Sequence, residues 1–296
     1  MIGLERVSKS YDGLRALDEV SFEIPERTVT VLAGADGAGK STLLRIIVGL
    51  VGRDSGRLTL EGREVGDDFR RITGLAGFMP ERFSLYTDLT VEENLNFFAD
   101  IHGVPRQRRE EMKRRLLERT GMQAFCRRRA GALSGGMKQK LALSAMLLAS
   151  PRLLLLDEPT TGVDPLSRIE FYDIIRELRD EGRTVLMATP YLAEAEKGDF
   201  VVFLKKGRVL LRDSIARLKR NFPARIYRIL PRGNVFEALR QLQESEGPGR
   251  NVYLRGGTLR LMQAGGEDPG RLVPALSIEE EKPTLEDMYI YYERQA

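Results

Sequence analysis

The chain has 296 residues, of which 42% are hydrophobic and 30% charged, and its formal net charge is +4. This composition is ordinary for a globular protein, and the length allows one large domain or two smaller ones. A single cysteine, Cys126, excludes an internal disulfide framework, and a single histidine, His102, leaves almost no material for a His-based zinc site or a Ser-His-Asp triad.

The N-terminal segment MIGLERVSKSYDG has no apolar stretch behind its charged residues, so no signal peptide is predicted. No window of the sequence approaches the ~20 consecutive apolar residues of a membrane-spanning helix. We therefore expect a cytoplasmic protein that reaches a membrane only through a partner. Residues 2–34 have the alternation of short strands, with a turn at Asp12-Gly13 and a β-branched apolar stretch, TVTVLAG, at the end.

The segment GADGAGKST satisfies the pattern G-x-x-x-x-G-K-[ST] between this predicted strand and a stretch with helical spacing, KSTLLRIIVGL. In such a loop the glycines let successive N–H groups face phosphate oxygens, and the helix adds the positive end of its dipole. Lys40 then brings a positive charge to the β- and γ-phosphates, and the Ser41 hydroxyl ligates Mg²⁺. The predicted nucleoside-triphosphate site comprises Gly34, Ala35, Asp36, Gly37, Ala38, Gly39, Lys40, Ser41 and Thr42.

A predicted hairpin, SGRLTLEGREV, leads to a region of helical periodicity between residues 90 and 129 that is rich in arginine. This basic region is compatible with a membrane partner or anionic lipid. It is equally compatible with a solvated helix face, because glutamates at 110, 111 and 118 interrupt it. A further helix begins at LSGGMKQKLALSAMLLAS, with Ser134 as its expected N-cap.

The stretch RLLLLDEP is typical of a strand buried in a parallel sheet. Asp157 ends that strand, where a carboxylate meets the ligand of such a sheet, and we expect it to hold Mg²⁺. Glu158 follows directly and is the expected general base that orients and deprotonates the attacking water. Downstream we predict a helix ended by Gly182, a buried strand in RTVLMAT, and a hairpin about Lys206-Gly207.

The composition changes near Phe222-Pro223, after which short strand and helix candidates alternate with GPGR, RGG and AGGEDPG. We therefore predict an ATP-binding domain at residues 1–220 and a small accessory α/β domain at residues 221–296. The closing segment PTLEDMYIYYER has the spacing of a helix that covers a core with one face. The residues expected on that face are Leu285, Met288 and Tyr289.

With LSGGMKQK placed shortly before the Asp157-Glu158 strand, residues 1–220 resemble the ATP-binding subunit of an ABC transporter. The resemblance implies an α/β fold: a P-loop NTPase of the ABC type with a mixed parallel sheet core, an antiparallel β subdomain and a helical signature subdomain. The small C-terminal α/β domain would follow it. In this family two such domains sandwich two ATP molecules head to tail, so the resemblance also implies a dimer.

The resemblance assigns roles to several residues. Tyr11 in KSYDG is similar to the aromatic residue that stacks on adenine, and Asp164 in TTGVDP is similar to one that contacts the opposite subunit. The signature residues of one subunit would cap the γ-phosphate that Lys40 of the other subunit holds. These signature residues are Ser134, Gly135 and Gly136.

Two positions depart from the family pattern. Glu81 stands where the family usually has a glutamine near Mg²⁺; a carboxylate still binds the metal, but it adds negative charge and cannot donate a hydrogen bond. Pro190 stands where a histidine usually contacts the γ-phosphate, and proline has no donor at all. Since losing one preorganised donor costs ~10²–10³ in rate, we expect slow ATP hydrolysis by the isolated protein, with ATP binding retained. The alternative is that another group replaces the histidine.

The tail EEEKPTLEDMYIYYER and the segment LYTDLTVEENL resemble ATPase subunits of exporters of the drug, polysaccharide and antibiotic-efflux type. The sequence thus predicts a subunit on the cytoplasmic face that uses ATP and Mg²⁺ to power export through a separate permease. A second ATP-binding subunit would complete a homodimer or heterodimer.

Two alternatives remain. One is a regulatory, ATP-binding subunit of a heterodimer that hydrolyses ATP weakly. The other is a non-transport ABC ATPase that acts on ribosomes or DNA. The chain has a single such domain and no extended heptads, which disfavours the second alternative, so we expect no nucleic-acid partner.

Overall fold

The computed structural model describes residues 1–66, 68–82, 85–244, 250–265 and 268–295. It divides into two units, Met1–Arg212 and Asp213–Ala296. This division lies upstream of the boundary expected between residues 220 and 221, because the helix before that boundary groups with the second unit. Phe83 and Ser84 beside Glu81, and parts of the predicted GPGR and AGGEDPG breaks, lie outside the described residues.

Strands and helices alternate along the first unit. Its strands are β1 (Ile2–Tyr11), β2 (Leu14–Ile24), β3 (Val29–Ala33), β4 (Ser55–Leu60), β5 (Arg63–Glu64), β6 (Ala76–Met79), β7 (Leu153–Asp157), β8 (Thr184–Thr189), β9 (Phe200–Lys205) and β10 (Arg208–Ser214), the last of which continues into the second unit. Its helices are α1 (Lys40–Ile47), α2 (Arg70–Thr73), α3 (Val91–Ile101), α4 (Arg106–Thr120), α5 (Gly135–Leu147), α6 (Pro165–Asp180) and α7 (Leu192–Ala195). None of the helices in the described part of the chain is long and apolar enough to span a membrane.

The central sheet has the strand order β10-β9-β3-β8-β7-β6, and the pairs from β9 to β6 are parallel. Strands β3, β7 and β8 are buried along their whole length, as expected for parallel strands covered on both faces. Because β8 lies between β3 and β7, the carboxyl ends of all three strands are neighbours. This arrangement brings the glycine-rich loop, Asp157 and Pro190 to one edge of the sheet.

A second sheet, with the order β2-β1-β4-β5, is antiparallel. The predicted turn between β1 and β2 is present, with φ of 46° at Asp12 and 82° at Gly13. Apolar residues of this sheet, of α1 and of the central sheet form one core cluster, which includes Phe22, Leu43 and Leu155. This cluster holds α1 between the two sheets and so fixes the loop that precedes it.

The helical region contains α3, α4 and α5. Thr90 begins α3 with a capping box to Glu93, and Ser134 caps α5 as predicted, accepting a hydrogen bond from the amide of Met137 at 3.3 Å. Basic residues of α4 form ion pairs within the chain: Arg114 with Glu118, Arg119 with Glu181, and the buried Lys113 with Glu110 at 2.8 Å. These pairs offset part of the positive charge of this region.

The second unit contains α8 (Ile215–Arg220), β11 (Arg225–Pro231), α9 (Val235–Glu244), β12 (Arg250–Arg255), β13 (Thr258–Gln263), β14 (Ala275–Glu281) and α10 (Leu285–Gln295). Its four strands form an antiparallel sheet of order β12-β13-β11-β14. One apolar cluster joins the sheet to α9 through Ile229 and Leu242, and another contains Ile226 together with Tyr291 of α10. Leu285 and Met288 are buried as expected, whereas Tyr289 is only half-buried.

A buried ion pair explains the PTLED segment. Asp287 is fully buried, and its carboxylate accepts hydrogen bonds from Arg260 at 2.6 and 2.8 Å, from the hydroxyl of Tyr253 at 2.7 Å and from the amide of Thr284 at 2.7 Å. Burial acts to raise the pKa of Asp287, but these donors outweigh it and hold the pKa below its ordinary value. Asp287 thus both caps α10 and neutralises Arg260.

We expect Asp287→Ala to lower the free energy of unfolding of the second unit by about 3–5 kcal/mol, because it leaves Arg260 buried without its main counter-charge. Hydrogen–deuterium exchange of the β13 amides measures this change. The matched control is Glu286→Ala, which removes a half-exposed partner of Arg255 and costs about 1 kcal/mol or less. Equal effects of the two variants would contradict the assignment.

The Arg260–Asp287 ion pair also predicts that the stability of the second unit depends on pH. The carboxyl of Asp287 has a lower pKa in the folded chain than its ordinary value of 3.8. Its contribution to stability is therefore complete above that value and is lost as the pH falls through the folded pKa. Exchange protection of β13 is expected to decrease below about pH 4 in the parent and to decrease less in Asp287→Ala.

Candidate nucleotide site

A groove with a volume of about 760 Å³ lies at the carboxyl edge of the central sheet. The glycine-rich loop lines it together with Tyr11, Glu81, Glu158 and Pro190. These positions come from five separate parts of the sequence, and the fold brings them to one cavity. Six further lining residues were not predicted as site residues: Leu14, Arg15, Ala16, Thr161, Tyr191 and Lys206.

The glycine-rich loop joins β3 to α1, as predicted. At its end Gly39 has a φ of 104°, and a Cβ there would lie 2.5 Å from the carbonyl oxygen of Ala16. The backbone conformation and this close contact therefore exclude any residue other than glycine at position 39. The amides of the first turn of α1, at Lys40, Ser41 and Thr42, have no acceptors within the helix and are available to an anion.

Lys40 is the central cation of the groove, and only 4% of its surface is exposed. Its Nζ donates to the carbonyl oxygens of Gly34 at 2.9 Å and Ala35 at 3.1 Å, and it lies 3.2 Å from Oε1 of Glu158. Asp36 is more distant, at 3.8 Å. The ammonium group is thus fixed between the loop and the carboxylate that we expect to act as the base.

Ser41, which lines the groove, contacts Asp157, which is fully buried and does not line the groove itself. The Ser41 hydroxyl donates to Oδ1 of Asp157 at 2.9 Å, whereas the buried Oδ2 makes no hydrogen bond with the described residues. Burial raises the pKa of Asp157, and the nearby carboxylates of Glu158 and Glu81 raise it further, against the effect of the Ser41 hydroxyl. A cation would relieve this accumulation of negative charge and would use the free oxygen.

This donor set fits Mg²⁺. Hydroxyl and carboxylate oxygens are the ligands that Mg²⁺ prefers, and it usually retains waters and phosphate oxygens besides one or two carboxylates. Within the described ranges, no cluster of three or more His, Cys, Asp and Glu side chains is arranged to hold a metal by itself. The site therefore suits a cation that arrives with a nucleotide, not one bound by protein ligands alone.

Glu158 has an unusual backbone conformation, with a φ of 49°. Few residues other than glycine adopt this region, and such strain is often found at functional positions. The amide of Glu158 donates to the carbonyl oxygen of Ala188 at 3.0 Å, and Oε2 accepts from the Thr161 hydroxyl at 3.3 Å. These two contacts, together with Lys40, hold the carboxylate in the groove.

The other side of the groove is formed by Tyr11, Arg15 and Lys206. Tyr11 ends β1 with 40% of its surface exposed, which leaves its ring open to a planar ligand. Lys206 lies in the β9–β10 turn, where the amide of Gly207 donates to the carbonyl oxygen of Ala38 at 3.1 Å. The sequence predicted this turn, but it did not show that the turn is bonded to the phosphate-binding loop.

The signature residues lie elsewhere. Ser134 and Asp164 do not line the groove; they cap α5 and α6, and Asp164 accepts a hydrogen bond from the amide of Ser167 at 2.9 Å, which lowers the pKa of Asp164. A Cβ on Gly135 would lie 2.9 Å from the carbonyl oxygen of Gly162, and one on Gly136 would lie 2.5 Å from Ser167. Within one chain, the signature residues therefore pack against the Asp164 loop but do not line the groove that contains Lys40.

Beside Pro190, a buried carboxylate organises the end of β8. Glu194 accepts hydrogen bonds from the hydroxyls of Thr160 at 2.9 Å, Thr189 at 2.8 Å and Tyr172 at 2.9 Å. Burial, reinforced by Glu194, raises the pKa of Tyr172, which keeps its phenol a donor. No pattern in the sequence pointed to this network.

Comparisons of the sequence with protein families and with individual proteins identify ABC transporter proteins as its relatives. The model of the ABC transporter family matches residues 17–161. The chain is 37% identical over 302 residues to the probable multidrug ABC transporter ATP-binding protein YbhF of Escherichia coli, an alignment that covers 98% of this chain and 51% of that protein. The chain therefore spans about half the length of that relative. It is 36% identical over 213 residues to the lantibiotic transport ATP-binding protein SrtF of Streptococcus pyogenes, covering 71% of this chain and 90% of that protein.

Solved structures show the same fold. The dimeric structure of the ABC transporter cassette MJ0796 has a TM-score of 0.66 and 27% identity, and the match covers 73% of this chain and 99% of that one. A second dimeric structure of MJ0796, in a post-hydrolysis state bound to ADP and Pi, has a TM-score of 0.66 and 26% identity over 73% of this chain and 99% of that one.

Proposed function

Because the chain belongs to the ABC transporter family of ATP-binding proteins, we propose that it binds ATP with Mg²⁺ and hydrolyses ATP to ADP and phosphate. The observation that carries this proposal is the groove in which Lys40, the Ser41–Asp157 pair and Glu158 meet. A cation, a hydroxyl–carboxylate pair with a free oxygen, and a carboxylate held beside them are the groups that phosphoryl transfer to water requires.

Each end of the nucleotide has a suitable partner in the groove. The exposed ring of Tyr11 offers a stacking surface for adenine, and the loop amides with Lys40 offer donors for the phosphates. Mg²⁺ would be held by Ser41, Asp157 and Glu81, and when bound it supplies positive charge that neutralises the phosphate oxygens. The unbonded Oδ2 of Asp157 supports this assignment.

In the proposed reaction Glu158 accepts a proton from water as the water oxygen bonds to the γ-phosphorus and the bond to the bridging oxygen of ADP breaks. Lys40 stabilises the negative charge of the transferred group. Its contact with Glu158 also orients that carboxylate before the water attacks.

We propose that hydrolysis needs a second ATP-binding subunit, whether a second copy or a different chain. Gly136 packs against Ser167 of the helix that Asp164 caps, and Ser134, Gly136 and Asp164 do not line the groove of their own chain. A second subunit would supply these groups to the γ-phosphate, as donors that act on the transferred charge. The dimeric structures of the similar cassette MJ0796 support this arrangement.

The transport role is export through a membrane-spanning partner. Relatives with multidrug and lantibiotic transport in their names support the exporter class, and the partner would place this chain on the cytoplasmic face of the membrane. The alternative function is a regulatory subunit that binds ATP and leaves hydrolysis to a partner. Pro190 favours this alternative, because it removes one donor from the groove.

Phosphate release by the purified full chain, measured over a range of protein concentrations, tests these functions. A specific activity that rises with concentration indicates a self-sufficient homodimer. Binding of ATP without phosphate release at any concentration indicates the regulatory subunit. Absence of both ATP binding and hydrolysis would contradict the proposed function.

Lys206 gives a separate prediction. Because it is an exposed cation on the groove, Lys206→Ala is expected to weaken ATP binding about three- to tenfold and to leave turnover at saturating ATP unchanged. The measurement is KM and kcat for ATP, with Lys197→Ala as the control for loss of an exposed lysine outside the groove. A fall in kcat without a change in KM would contradict a binding role.

A further inference from the structure

The residue after Pro190 lines the same groove. Tyr191 has 42% of its surface exposed, and it shares the cavity with Lys40, Glu158 and Thr161. Its hydroxyl makes no hydrogen bond with the other described residues. The groove therefore contains a neutral hydrogen-bond donor one position beyond the proline that has none.

Two contacts hold Tyr191 in place, one at its backbone and one at its ring. Its amide donates to the Thr189 hydroxyl at 3.1 Å, which fixes the backbone at the end of β8. The guanidinium carbon of Arg168 lies 5.1 Å from the ring centroid, within the range of a cation–π contact. Arg168 is itself anchored, because its Nε donates to the carbonyl oxygen of Val163 at 2.8 Å and its Nη1 donates to Glu194 at 3.4 Å.

Other donors near Pro190 are already engaged. The Thr161 hydroxyl donates to Glu158 and the Thr189 hydroxyl donates to Glu194, each within the chain. The Tyr191 hydroxyl, in contrast, is available near Pro190 to donate a hydrogen bond to a ligand oxygen.

We propose that the Tyr191 hydroxyl donates a hydrogen bond to the γ-phosphate of ATP in this groove and replaces the donor that Pro190 lacks. The proposal rests on the proposed function, since it requires ATP to bind here. The phenol adds a donor without adding charge. A preorganised donor of this kind is worth ~10²–10³ in rate when it acts on charge that develops in the transition state.

The first test separates binding of the γ-phosphate from turnover. In the Glu158→Gln full chain, Tyr191→Phe is expected to weaken ATP binding about tenfold or more and to leave ADP binding unchanged, because only ATP has the γ-phosphate. Phenylalanine keeps the ring against Arg168. Adding Pro190→His to the Tyr191→Phe chain is expected to recover ATP binding by restoring a donor one residue away. Tyr227→Phe, the same change in the second unit, is the control.

A second test uses turnover. Tyr191→Phe in the parent chain is expected to lower kcat for ATP hydrolysis by about 10². ATP binding equal to that of the parent would overturn the proposal, and so would an equal loss of ATP and ADP binding, which would indicate a purely structural ring. If the parent binds neither nucleotide, the proposed function fails and this inference fails with it. If the parent binds ATP while Tyr191→Phe has no selective effect, only this inference fails.

Discussion

Replacing Glu158 with glutamine is expected to lower phosphate release by at least about 10², to the background rate, while ATP binding is retained. The amide has the shape of the carboxylate but cannot accept the proton of the attacking water, and a positioned base contributes about 10²–10⁴ in rate. Glu158, Glu81 and Asp36 line the groove, and the buried carboxylate of Asp157 lies close to Glu158 and Glu81. Removing one negative charge therefore favours ATP binding.

The measurement is ATP hydrolysis and ATP affinity of the two full-length chains at the same protein concentrations. Glu23→Gln, the same chemical change on an exposed position of β2, is the matched control and is expected to behave as the parent. Hydrolysis by Glu158→Gln at the parent rate, in a preparation that binds ATP, would show that another group is the base. A parent that binds ATP but is no faster than Glu158→Gln would instead support the regulatory subunit.

The sequence predicted the parts of the site that depend on local pattern. A β-branched strand, a run of glycines and a helical stretch define the phosphate-binding loop, and four leucines before Asp157 define a buried parallel strand. The contact of Ser41 with Asp157 then follows from topology, because parallel strands on either side of β8 end at the same edge of the sheet. Because these strands are buried along their whole length, few other positions are possible for their carboxyl ends.

The sequence did not predict the contacts that depend on how helices pack over the sheet. Glu194 is bonded to Thr160 and Tyr172, which are 34 and 22 residues away and belong to different parts of the fold. Arg260 and Asp287 are 27 residues apart. Glu194 lies in no motif recognised in the sequence, and the PTLED segment that contains Asp287 does not point to Arg260, so only the packed structure identifies the partners that allow each to be buried.

Pro190 illustrates the same limit in the functional site. The sequence showed the loss of a donor at one position, and it left open whether another group replaces it. The structure adds that Tyr191 lines the groove and is held by Arg168 from the start of α6. This contact spans 23 residues and two elements, so the residue type next to the proline could not reveal it.

Lys40→Met is expected to weaken ATP binding by 10² or more and to abolish hydrolysis. The change removes the charge-assisted hydrogen bonds to phosphate, which are worth about 1.5–3 kcal/mol. It also leaves Glu158 without the cation 3.2 Å away, beside the buried carboxylate of Asp157. Breaking one side of such a pair is costly, and the uncompensated negative charge repels the nucleotide. Methionine has nearly the volume of the lysine stem, so the groove keeps its shape.

Calorimetric titration with ATP and Mg²⁺ measures the affinity, and thermal unfolding of each chain establishes that the variant remains folded. Lys197→Met, which replaces an exposed lysine outside the groove, is expected to bind ATP like the parent. A folded Lys40→Met chain with the parent's affinity would show that ATP does not bind in this groove, since its amides alone cannot replace a buried ammonium group. A loss of ATP affinity of tenfold or less would indicate that Lys40 contributes little to phosphate binding. Both outcomes contradict the role assigned to Lys40, and the first also removes the groove from the proposed function.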